Sequence, residues 1–240
     1  MAKKVFLSAG HGGSDPGAVG NGFKEKDLNL SITLACEAEL KRHGVEVKMN
    51  RSTDVDISWE KEVSNCNSYN PDLAVNIHNN AGGGDGAEVF HHYGGGTGKT
   101  LANNILTEIA AIGQNSRGAK TKRLANGNDY YYFIREIDAP SVIVECAFVD
   151  HAQDIKIIDT AAEQKAMGVA IAKGILKTLG IAYKAQNQTQ EQEAPAQKEA
   201  ATGKLYRVQV GAFAVKSNAE NMMKKLKADG YDAFIVEVNK

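Results

Sequence analysis

The sequence predicts an α/β fold with a mostly parallel or mixed central sheet flanked by helices, followed by a small α+β module of strand-helix-strand type. Short β-branched runs alternate with amphipathic helical stretches from residue 3 to residue 183. The composition then changes abruptly at residue 184, and a second, shorter alternation follows residue 204. With 42% hydrophobic and 24% charged residues among 240, the chain has an ordinary globular composition, which excludes wholesale disorder.

Five strands and three helices account for the first part of the chain. The first helix is predicted from Leu28, Ile32 and Ala35, whose i, i+4, i+7 spacing places them on one helix face, and Gly44 ends it. Two further helices are predicted from the similar spacing of Leu101, Ile105 and Ile109 and of Met167, Ile171 and Ile175. The predicted strands are residues 4–8, 45–50, 73–77, 87–91 and 142–145.

A linker divides the chain into two parts. Residues 184–203 contain no aromatic residue and no valine, isoleucine or leucine. Such a segment cannot bury enough apolar area to offset the entropy cost of ordering it, so we predict a flexible linker. It separates a domain at residues 1–183 from a C-terminal module at residues 204–240, in which two alternating apolar stretches flank a helical one.

The C-terminal module is too small for independent folding to be expected. Domains of fewer than about 40 residues usually need disulfides, a metal ion or association for stability. None of the three cysteines, Cys36, Cys66 and Cys146, lies in residues 204–240. We therefore predict that the chain forms a homodimer through this module, whose two copies share one sheet.

The charge and the N-terminal sequence limit the partners. The 28 basic and 29 acidic residues give a net charge of −1, which argues against a nucleic-acid partner. Only Val5, Phe6 and Leu7 form an apolar run near the N-terminus, whereas a secretory signal needs about 7 to 15 apolar residues. No stretch approaches the about 18 apolar residues of a membrane span. We expect synthesis in the cytoplasm without a signal peptide, and no membrane partner.

Side chains that can bind a metal ion or transfer a proton follow or end three of the predicted strands. His11 lies in a glycine-rich loop after the first strand, His78 ends the third, and Glu145 ends the most apolar one. Because ligands gather at the carboxyl ends of strands in open α/β sheets, these side chains are expected to share one crevice. Two histidines and one carboxylate form a catalytic zinc arrangement with one position left for water. Spacing alone leaves both Glu25 and Glu145 as candidates for the carboxylate ligand.

Four motifs carry a resemblance to a known family. They are Gly-His-Gly-Gly-Ser-Asp-Pro-Gly-Ala at 10–18, Glu-Lys-Asp-Leu-Asn-Leu at 25–30, Asn-Ile-His-Asn-Asn at 76–80 and Ala-Pro-Ser-Val-Ile-Val-Glu at 139–145. In this order, over about residues 3–181, the chain resembles the zinc-dependent N-acetylmuramoyl-L-alanine amidases of amidase family 3. The first domain, residues 1–183, is therefore expected to be a zinc amidase catalytic domain.

The resemblance implies roles for individual residues. His11, Glu25 and His78 fall on the family's zinc ligands, for one Zn²⁺ per catalytic domain, and Glu145 falls on its catalytic glutamate. The implied reaction is hydrolysis of the amide bond between N-acetylmuramic acid and the L-alanine of the peptidoglycan stem peptide. Asn76 departs from the family pattern, which has serine before the second histidine. We add Asn80 and Tyr131 as candidate substrate-binding residues, Tyr131 because it lies in a run of three tyrosines that could stack on a sugar. The alternative for these tyrosines is ordinary packing.

The C-terminal module also resembles a known domain. Its stretch Leu-Tyr-Arg-Val-Gln-Val-Gly-Ala-Phe at 205–213, with the helix and the strand that follow, looks like the first half of a SPOR domain. SPOR domains bind peptidoglycan glycan strands, so residues 204–240 are expected to be a cell-wall-binding half-module. Gln209 and Phe213 are its candidate glycan contacts, and the alternative for Phe213 is a place in the core of the module. A half-module fits the predicted homodimer, in which two chains complete one binding unit.

The biological role has more than one interpretation. Without a signal peptide the enzyme would act on the cell wall only after the membrane is breached, which suits a phage endolysin in host lysis. The alternative is a host amidase that lyses the mother cell at sporulation. A non-catalytic cell-wall-binding protein with a vestigial metal site is a further alternative, and another zinc hydrolase, such as a carboxypeptidase, is a third.

Overall fold

The structure of the chain is a computed structural model that describes residues 2–185, 216–228 and 234–236. The chain divides into two compact units, Met1–Gln186 and Asn187–Lys240. In the first unit the strands are β1 Lys4–Ala9, β2 Val19–Gly20, β3 Phe23–Lys24, β4 Glu46–Met49, β5 Leu73–Asn80, β6 Ala87–His91, β7 Ser116–Lys120 and β8 Ser141–Phe148. Its helices are α1 Glu25–Arg42, α2 Trp59–Tyr69, α3 Gly96–Ala111, α4 Tyr132–Glu136 and α5 Ala161–Thr178, with a 3-10 turn at Asp154–Ile157.

Six strands form one mixed sheet in the order β4-β1-β5-β8-β6-β7. Neighbouring strands are parallel except β6 and β8, which are antiparallel. The predicted fold class is therefore confirmed, with helices on both faces of a mostly parallel sheet. The β2–β3 hairpin is separate and leads directly into α1.

Three long helices, α1, α3 and α5, cover one face of the sheet. Their apolar residues join those of the strands in the larger core, in which Ile32, Ile105 and Ile171 are fully buried. The helix predicted from Ile171 begins earlier than the apolar spacing shows. It begins after Thr160, whose hydroxyl accepts the backbone N–H of Glu163 while the Glu163 carboxylate accepts that of Thr160.

Two glycines let α5 lie close to its neighbours. A Cβ atom at Gly168 would come within 2.5 Å of the carbonyl oxygen of Ile32 in α1. A Cβ atom at Gly174 would come within 2.5 Å of the Cα atom of Ile105 in α3. These contacts are with backbone atoms, which cannot rotate away as a side chain can. A side chain at either position would therefore push the helices apart.

The opposite face of the sheet has a smaller cover, made by α2 and α4. A compact cluster that includes Phe6, Cys66, Phe90, Phe133 and Ile143 fills the space beneath them. Further along the same strands this face becomes polar. The polar residues are Ser8 on β1, Asn76 and His78 on β5, Glu145 on β8 and Glu88 on β6. This polar end of the sheet positions the candidate site.

Some elements differ from the prediction. β5 continues beyond residue 77 and β8 beyond residue 145, so His78 and Glu145 lie inside strands and do not end them. The helices α2 and α4 and the strand β7 were not predicted from the sequence. The amide of Lys61 donates to the hydroxyl of Ser58, which caps α2, but too few apolar residues follow to reveal the helix. Of the helices in the described ranges, none is both long and apolar enough to cross a membrane.

In the second unit the structure describes a helix and three further residues. The helix, α6 Lys216–Ala228, lies where the sequence predicts one. Residues 234–236, predicted to belong to a final strand, carry no strand assignment. The other alternating stretch of the module, residues 205–213, lies outside the described residues, and so do the candidate glycan contacts Gln209 and Phe213.

Candidate active site

His11, Glu25 and His78 come together at the polar end of the sheet. Each offers a metal-ligand atom, and these atoms all lie within 4.8 Å of one another. The Oε2 atom of Glu25 is 3.2 Å from Nε2 of His11, and its Oε1 atom is 2.9 Å from Nδ1 of His78. Glu25, the first residue of α1, therefore bridges the loop after β1 and the strand β5.

The loop that carries His11 has an unusual backbone. His11 has a φ of 59°, and Gly12 and Gly13 also have positive φ angles. Such angles are uncommon for a residue with a side chain, so the surrounding structure must hold His11 in place. Arg51 supplies this support, since its buried guanidinium donates to the carbonyl oxygens of Ala9 at 3.0 Å and Gly10 at 3.1 Å.

Two more glycines make room for the three side chains. A Cβ atom at Gly10 would collide with the imidazole ring of His78. Gly17 has a φ of 64°, and a Cβ atom there would be 2.6 Å from Oε2 of Glu25. The glycines of the first motif therefore serve two purposes, because they permit the turn and they admit the candidate ligands.

Hydrogen bonds orient the Glu25 carboxylate. Its Oε2 atom accepts the backbone N–H of Ala18 at 2.9 Å. Its Oε1 atom accepts the backbone N–H of Asn79 at 3.1 Å and the side-chain amide of Asn29 at 3.2 Å. With these donors in place, the carboxylate is held toward the two imidazoles before any ion binds.

Asp15 orients His11, the candidate ligand in the loop after β1. Its Oδ2 atom lies 2.7 Å from Nδ1 of His11, so the ring nitrogen that faces away from Glu25 has a carboxylate partner. Metal-binding histidines usually donate their second N–H to a carboxylate or carbonyl in this way, which fixes the ring and raises its basicity. Neither Asp15 nor Arg51 was predicted from the sequence to support the site, although Asp15 lies four residues after His11 in the first motif.

The charges of these groups are coupled. The hydrogen bond to Glu25 raises the pKa of His11 to about 9, against the effect of burial. Burial disfavours the charged form of Glu25, but hydrogen bonds to His11 and His78 hold its pKa well below the usual range. Burial also disfavours the charged form of His78, but the hydrogen bond to Glu25 and the negative charges of Glu145 and Glu25 together outweigh it, so the pKa of His78 is raised. The carboxylate is therefore ionised at neutral pH.

Glu145 lies next to this group on the neighbouring strand. Its Cα atom is paired with that of His78 in the β5–β8 register. Its Oε2 atom is buried and has no hydrogen-bond partner in the described part of the chain. Burial raises the pKa of Glu145 to about 7, with His78 opposing and Glu25 adding to the rise. A carboxyl group with a pKa near neutrality suits general acid-base chemistry.

The donor set fits a zinc ion. Neutral imidazole and carboxylate are the ligands that catalytic zinc takes, with three protein ligands and one position for water or substrate. Among the residues that the structure describes, His11, Glu25 and His78 form the one such group of three. The orienting partners of His11 and Glu25 are those that a metal site requires. Glu145, with its unpartnered oxygen, stands beside the group and not within it.

The candidate substrate-binding residues have structural partners. The side-chain amide of Asn80 donates to Oε1 of Glu88 at 3.0 Å, and its carbonyl oxygen accepts the backbone N–H of Ala81. The ring of Tyr131 lies 4.8 Å from that of Phe90, centroid to centroid, so part of this residue belongs to the smaller core. Burial, and then the charge of Glu145, raise the pKa of Tyr131 to about 12.

Two family models match the sequence. The model described as N-acetylmuramoyl-L-alanine amidase, Amidase_3, matches residues 5–177. The model of the SPOR domain matches residues 174–237. Its match begins within α5, upstream of the module predicted at 204–240.

Individual relatives agree with these families. The chain is 32% identical over 238 residues to the sporulation-specific N-acetylmuramoyl-L-alanine amidase of Bacillus subtilis (strain 168), covering 97% of this chain and 84% of the relative. It is 32% identical over 193 residues to the endolysin of Bacillus phage SPP1, covering 77% and 69% of the two. The solved structure of Cwp6 from Clostridium difficile has a TM-score of 0.73 and 38% identity over 75% of this chain, which spans only 30% of that one.

Proposed function

Since the chain belongs to the Amidase_3 family of N-acetylmuramoyl-L-alanine amidases and carries a SPOR domain, we propose that it is a peptidoglycan hydrolase. It cleaves the amide bond between N-acetylmuramic acid and the L-alanine of the stem peptide. The observation that carries this proposal is the meeting of His11, Glu25 and His78 beside Glu145. These four residues come from separate stretches of chain and converge at one end of the sheet.

The metal ion of this site is proposed to be zinc, held by His11, Glu25 and His78. Zinc, when bound, polarises a carbonyl group and makes water more acidic, which supplies a nucleophile at neutral pH. The chain's own contribution is to orient the ligands. Asp15 fixes the ring of His11, and the donors around Glu25 keep its carboxylate toward the two imidazoles.

Glu145 is proposed to be the proton carrier of the reaction. Its unpartnered Oε2 atom is free to accept a proton from the attacking water, and a pKa of about 7 lets it then release that proton. The departing group is the amine of L-alanine, which must gain a proton when the amide bond breaks. One carboxyl group can therefore act as base and then as acid.

Mass spectrometry of the products tests the proposal. Purified cell walls treated with the enzyme are expected to release peptides that begin with a free L-alanine amino group. A carboxypeptidase would release a terminal amino acid instead. A non-catalytic wall-binding protein would release nothing, and either of these outcomes would overturn the proposed reaction.

The SPOR domain is proposed to attach the enzyme to the glycan strands of the wall. Tethering a catalytic domain to its polymer raises the effective concentration of the scissile bond. We further propose that two chains associate through residues 204–240. Size-exclusion chromatography with light scattering is expected to give twice the 25.7 kDa mass of one chain, and a mass of 25.7 kDa would contradict the dimer.

The biological role proposed here is wall hydrolysis in a sporulating host. The match to the sporulation-specific amidase of Bacillus subtilis spans nearly the whole chain, including the SPOR domain. A phage endolysin is the second candidate and is supported by the match to the endolysin of phage SPP1, which covers a smaller share of the chain. A holin gene beside the coding sequence would favour the phage, and expression confined to the mother cell would favour the host.

A further inference from the structure

A buried carboxylate with two cationic partners lies next to Glu145. On β6, the Cα atom of Glu88 is paired with that of Glu145 on β8. Oε2 of Glu88 accepts from Nε of Arg117 at 2.7 Å and from Nζ of Lys120. Its Oε1 atom accepts from the side-chain amide of Asn80, as described above. The cluster therefore adjoins the proposed proton carrier, and the proposed reaction does not use it.

A β-bulge brings the two cations to the same carboxylate. Ala87 of β6 is paired with Ser116 of β7, and Val89 is paired with Ala119, so two residues of β7 lie opposite one residue of β6. Residues three apart in a regular strand point to opposite faces, but the extra residue turns Arg117 and Lys120 toward the same side. Gly118, between them, has a φ of 84°, which a residue with a side chain rarely adopts.

The cluster keeps an excess positive charge within reach of solvent. Two cations face one carboxylate, and their attraction holds the pKa of Glu88 below its usual value although burial opposes this. The side chains of Arg117 and Lys120 are 37% and 35% exposed, whereas that of Glu88 is 8% exposed. The guanidinium of Arg117 also lies over the ring of Phe148, 5.0 Å from its centroid, which fixes its position. An anion that approaches this edge of the sheet therefore meets the cations and not the carboxylate.

The distance between the proposed reaction centre and the two cations matches the length of the first residues of the stem peptide. β7 lies two strands away from β8, which is about 10 Å at the usual spacing of strands. An extended peptide advances about 3.4 Å per residue, and the long side chains of arginine and lysine shorten the gap. The second residue of the stem peptide is thus within reach when the bond to L-alanine lies beside Glu145. In peptidoglycan this residue is a γ-linked glutamate, whose α-carboxyl group is either a free carboxylate or an amide.

We propose that Arg117 and Lys120 bind the free α-carboxylate of the second stem residue and make the enzyme prefer the acid form to the amide form. This inference rests on the proposed function, because it assumes that the stem peptide lies across β8, β6 and β7. The cations contribute to substrate binding and take no part in proton transfer. The guanidinium and ammonium groups donate charge-assisted hydrogen bonds to the carboxylate, which a neutral amide cannot match.

Two synthetic substrates test the inference. They are glycan tetrasaccharides that carry the same stem peptide, with D-isoglutamate or D-isoglutamine as its second residue. For the wild-type enzyme we expect kcat/KM for the acid to exceed that for the amide by about tenfold or more, which is the effect of one charge-assisted hydrogen bond. In Arg117→Gln and in Lys120→Met this ratio is expected to fall toward one. In each single variant Glu88 keeps its other cation, so the buried carboxylate is not left unpaired.

Controls separate the possible failures. Arg42→Gln is the matched control, because Arg42 pairs with the buried carboxylate of Glu39 on α1, away from β7. It is expected to leave the acid-to-amide ratio unchanged, and thermal melting checks that each variant is folded. If the wild type cleaves both substrates equally, or if the variants keep its ratio, the inference is wrong while the proposed reaction stands. If the wild type releases no L-alanine-terminated peptide from either substrate or from cell walls, the proposed function itself is wrong.

Discussion

The two faces of the central sheet use the same strands for different purposes. On β5, Val75 and Ile77 point into the larger core beneath α1, α3 and α5, whereas Asn76 and His78 belong to the opposite face. On β8, Val144 is part of the larger core, and Glu145 next to it is not. Side chains alternate between faces along a strand, so one strand can anchor a core and carry chemistry.

The difference lies in how far each cover extends. Three long helices cover the first face along its length, and among the described residues the one polar side chain of its strands with an unpartnered buried oxygen is Asn79, at the end of β5, whose amide donates to Oδ1 of Asn29 on α1. The second face is apolar only under α2 and α4, and beyond them Asn76 and Glu145 each keep a buried oxygen without a hydrogen-bond partner. Such groups lower stability, since a buried polar atom without a partner costs about 1 to 3 kcal/mol. All three such oxygens of the described residues, those of Asn76, Asn79 and Glu145, lie on β5 or β8 close to His78, which indicates that this end of the sheet serves function.

The largest effect is expected from substitutions at the polar end. Glu145→Gln removes the proposed proton carrier but none of the proposed metal ligands, so hydrolysis of cell walls should fall by a factor of about 100 to 10,000 while bound zinc stays near one per chain. Its melting temperature should equal or exceed that of the wild type, because a buried, unpartnered carboxylate is removed. His78→Ala should lose both metal and activity. Metal analysis together with a turbidity assay on cell walls measures these outcomes.

His92→Ala is the matched control for the histidine variant. The His92 side chain is 49% exposed and pairs with Asp129, outside the group of His11, Glu25 and His78. It should keep both metal and activity. Near-normal hydrolysis by Glu145→Gln would show that the base is another residue.

Removal of the metal should affect activity and local stability at the polar end of the sheet, and should leave the larger core beneath α1, α3 and α5 unchanged. A chelator is expected to abolish hydrolysis, and added zinc should restore it. Because a bound ion stabilises the native state, the melting temperature should fall with the chelator in the wild type but not in His78→Ala. Hydrogen exchange should become faster in the loop of His11 and at the end of β5, while α5 stays protected. Activity that resists chelation would contradict the proposed metal site.

The larger core is expected to control stability and not chemistry. Ile171→Ala removes a fully buried side chain from α5, so the free energy of unfolding should fall by about 2 to 5 kcal/mol. Denaturant unfolding measures this change. Leu34→Ala on α1 is the control, since Leu34 is 36% exposed and its loss should cost much less. If Ile171→Ala lowered kcat in folded protein as strongly as Glu145→Gln, the inference that the first face provides stability and the second face provides the chemistry would be wrong.

The predicted elements were those whose signals are local. β-branched runs revealed β1, β5, β6 and β8, and apolar spacing revealed α1, α3 and α5. α2 and β7 were missed because their sequences are mostly polar or small, and tertiary contacts with the sheet stabilise them. The bulge at Gly118 is invisible in sequence, since it exists only in the register of β7 against β6.

The sequence predicted the residues of the candidate site less completely than it predicted the main strands and helices. His11 and His78 follow from residue chemistry at strand ends, but residue chemistry left Glu25 and Glu145 as alternatives for the third ligand. Their separate positions depend on the start of α1 and on the pairing of β5 with β8, which are long-range properties. Arg51 was missed for a related reason. Its guanidinium donates to backbone carbonyl oxygens, and such contacts leave no pattern in the sequence.

The smallest effect is expected at the start of α5, where the larger core meets solvent. Thr160→Ala removes the hydroxyl that accepts the backbone N–H of Glu163, so the free energy of unfolding should fall by about 1 kcal/mol. Thr107→Ala is the control, because the Thr107 hydroxyl bonds only to the carbonyl oxygen of Asn103 within α3 and caps no helix end. Activity per folded molecule should be unchanged in both variants. An equal loss of stability in both would show that the capping box adds nothing beyond the loss of a hydroxyl group, and that α5 is held by its glycine contacts and its apolar face alone.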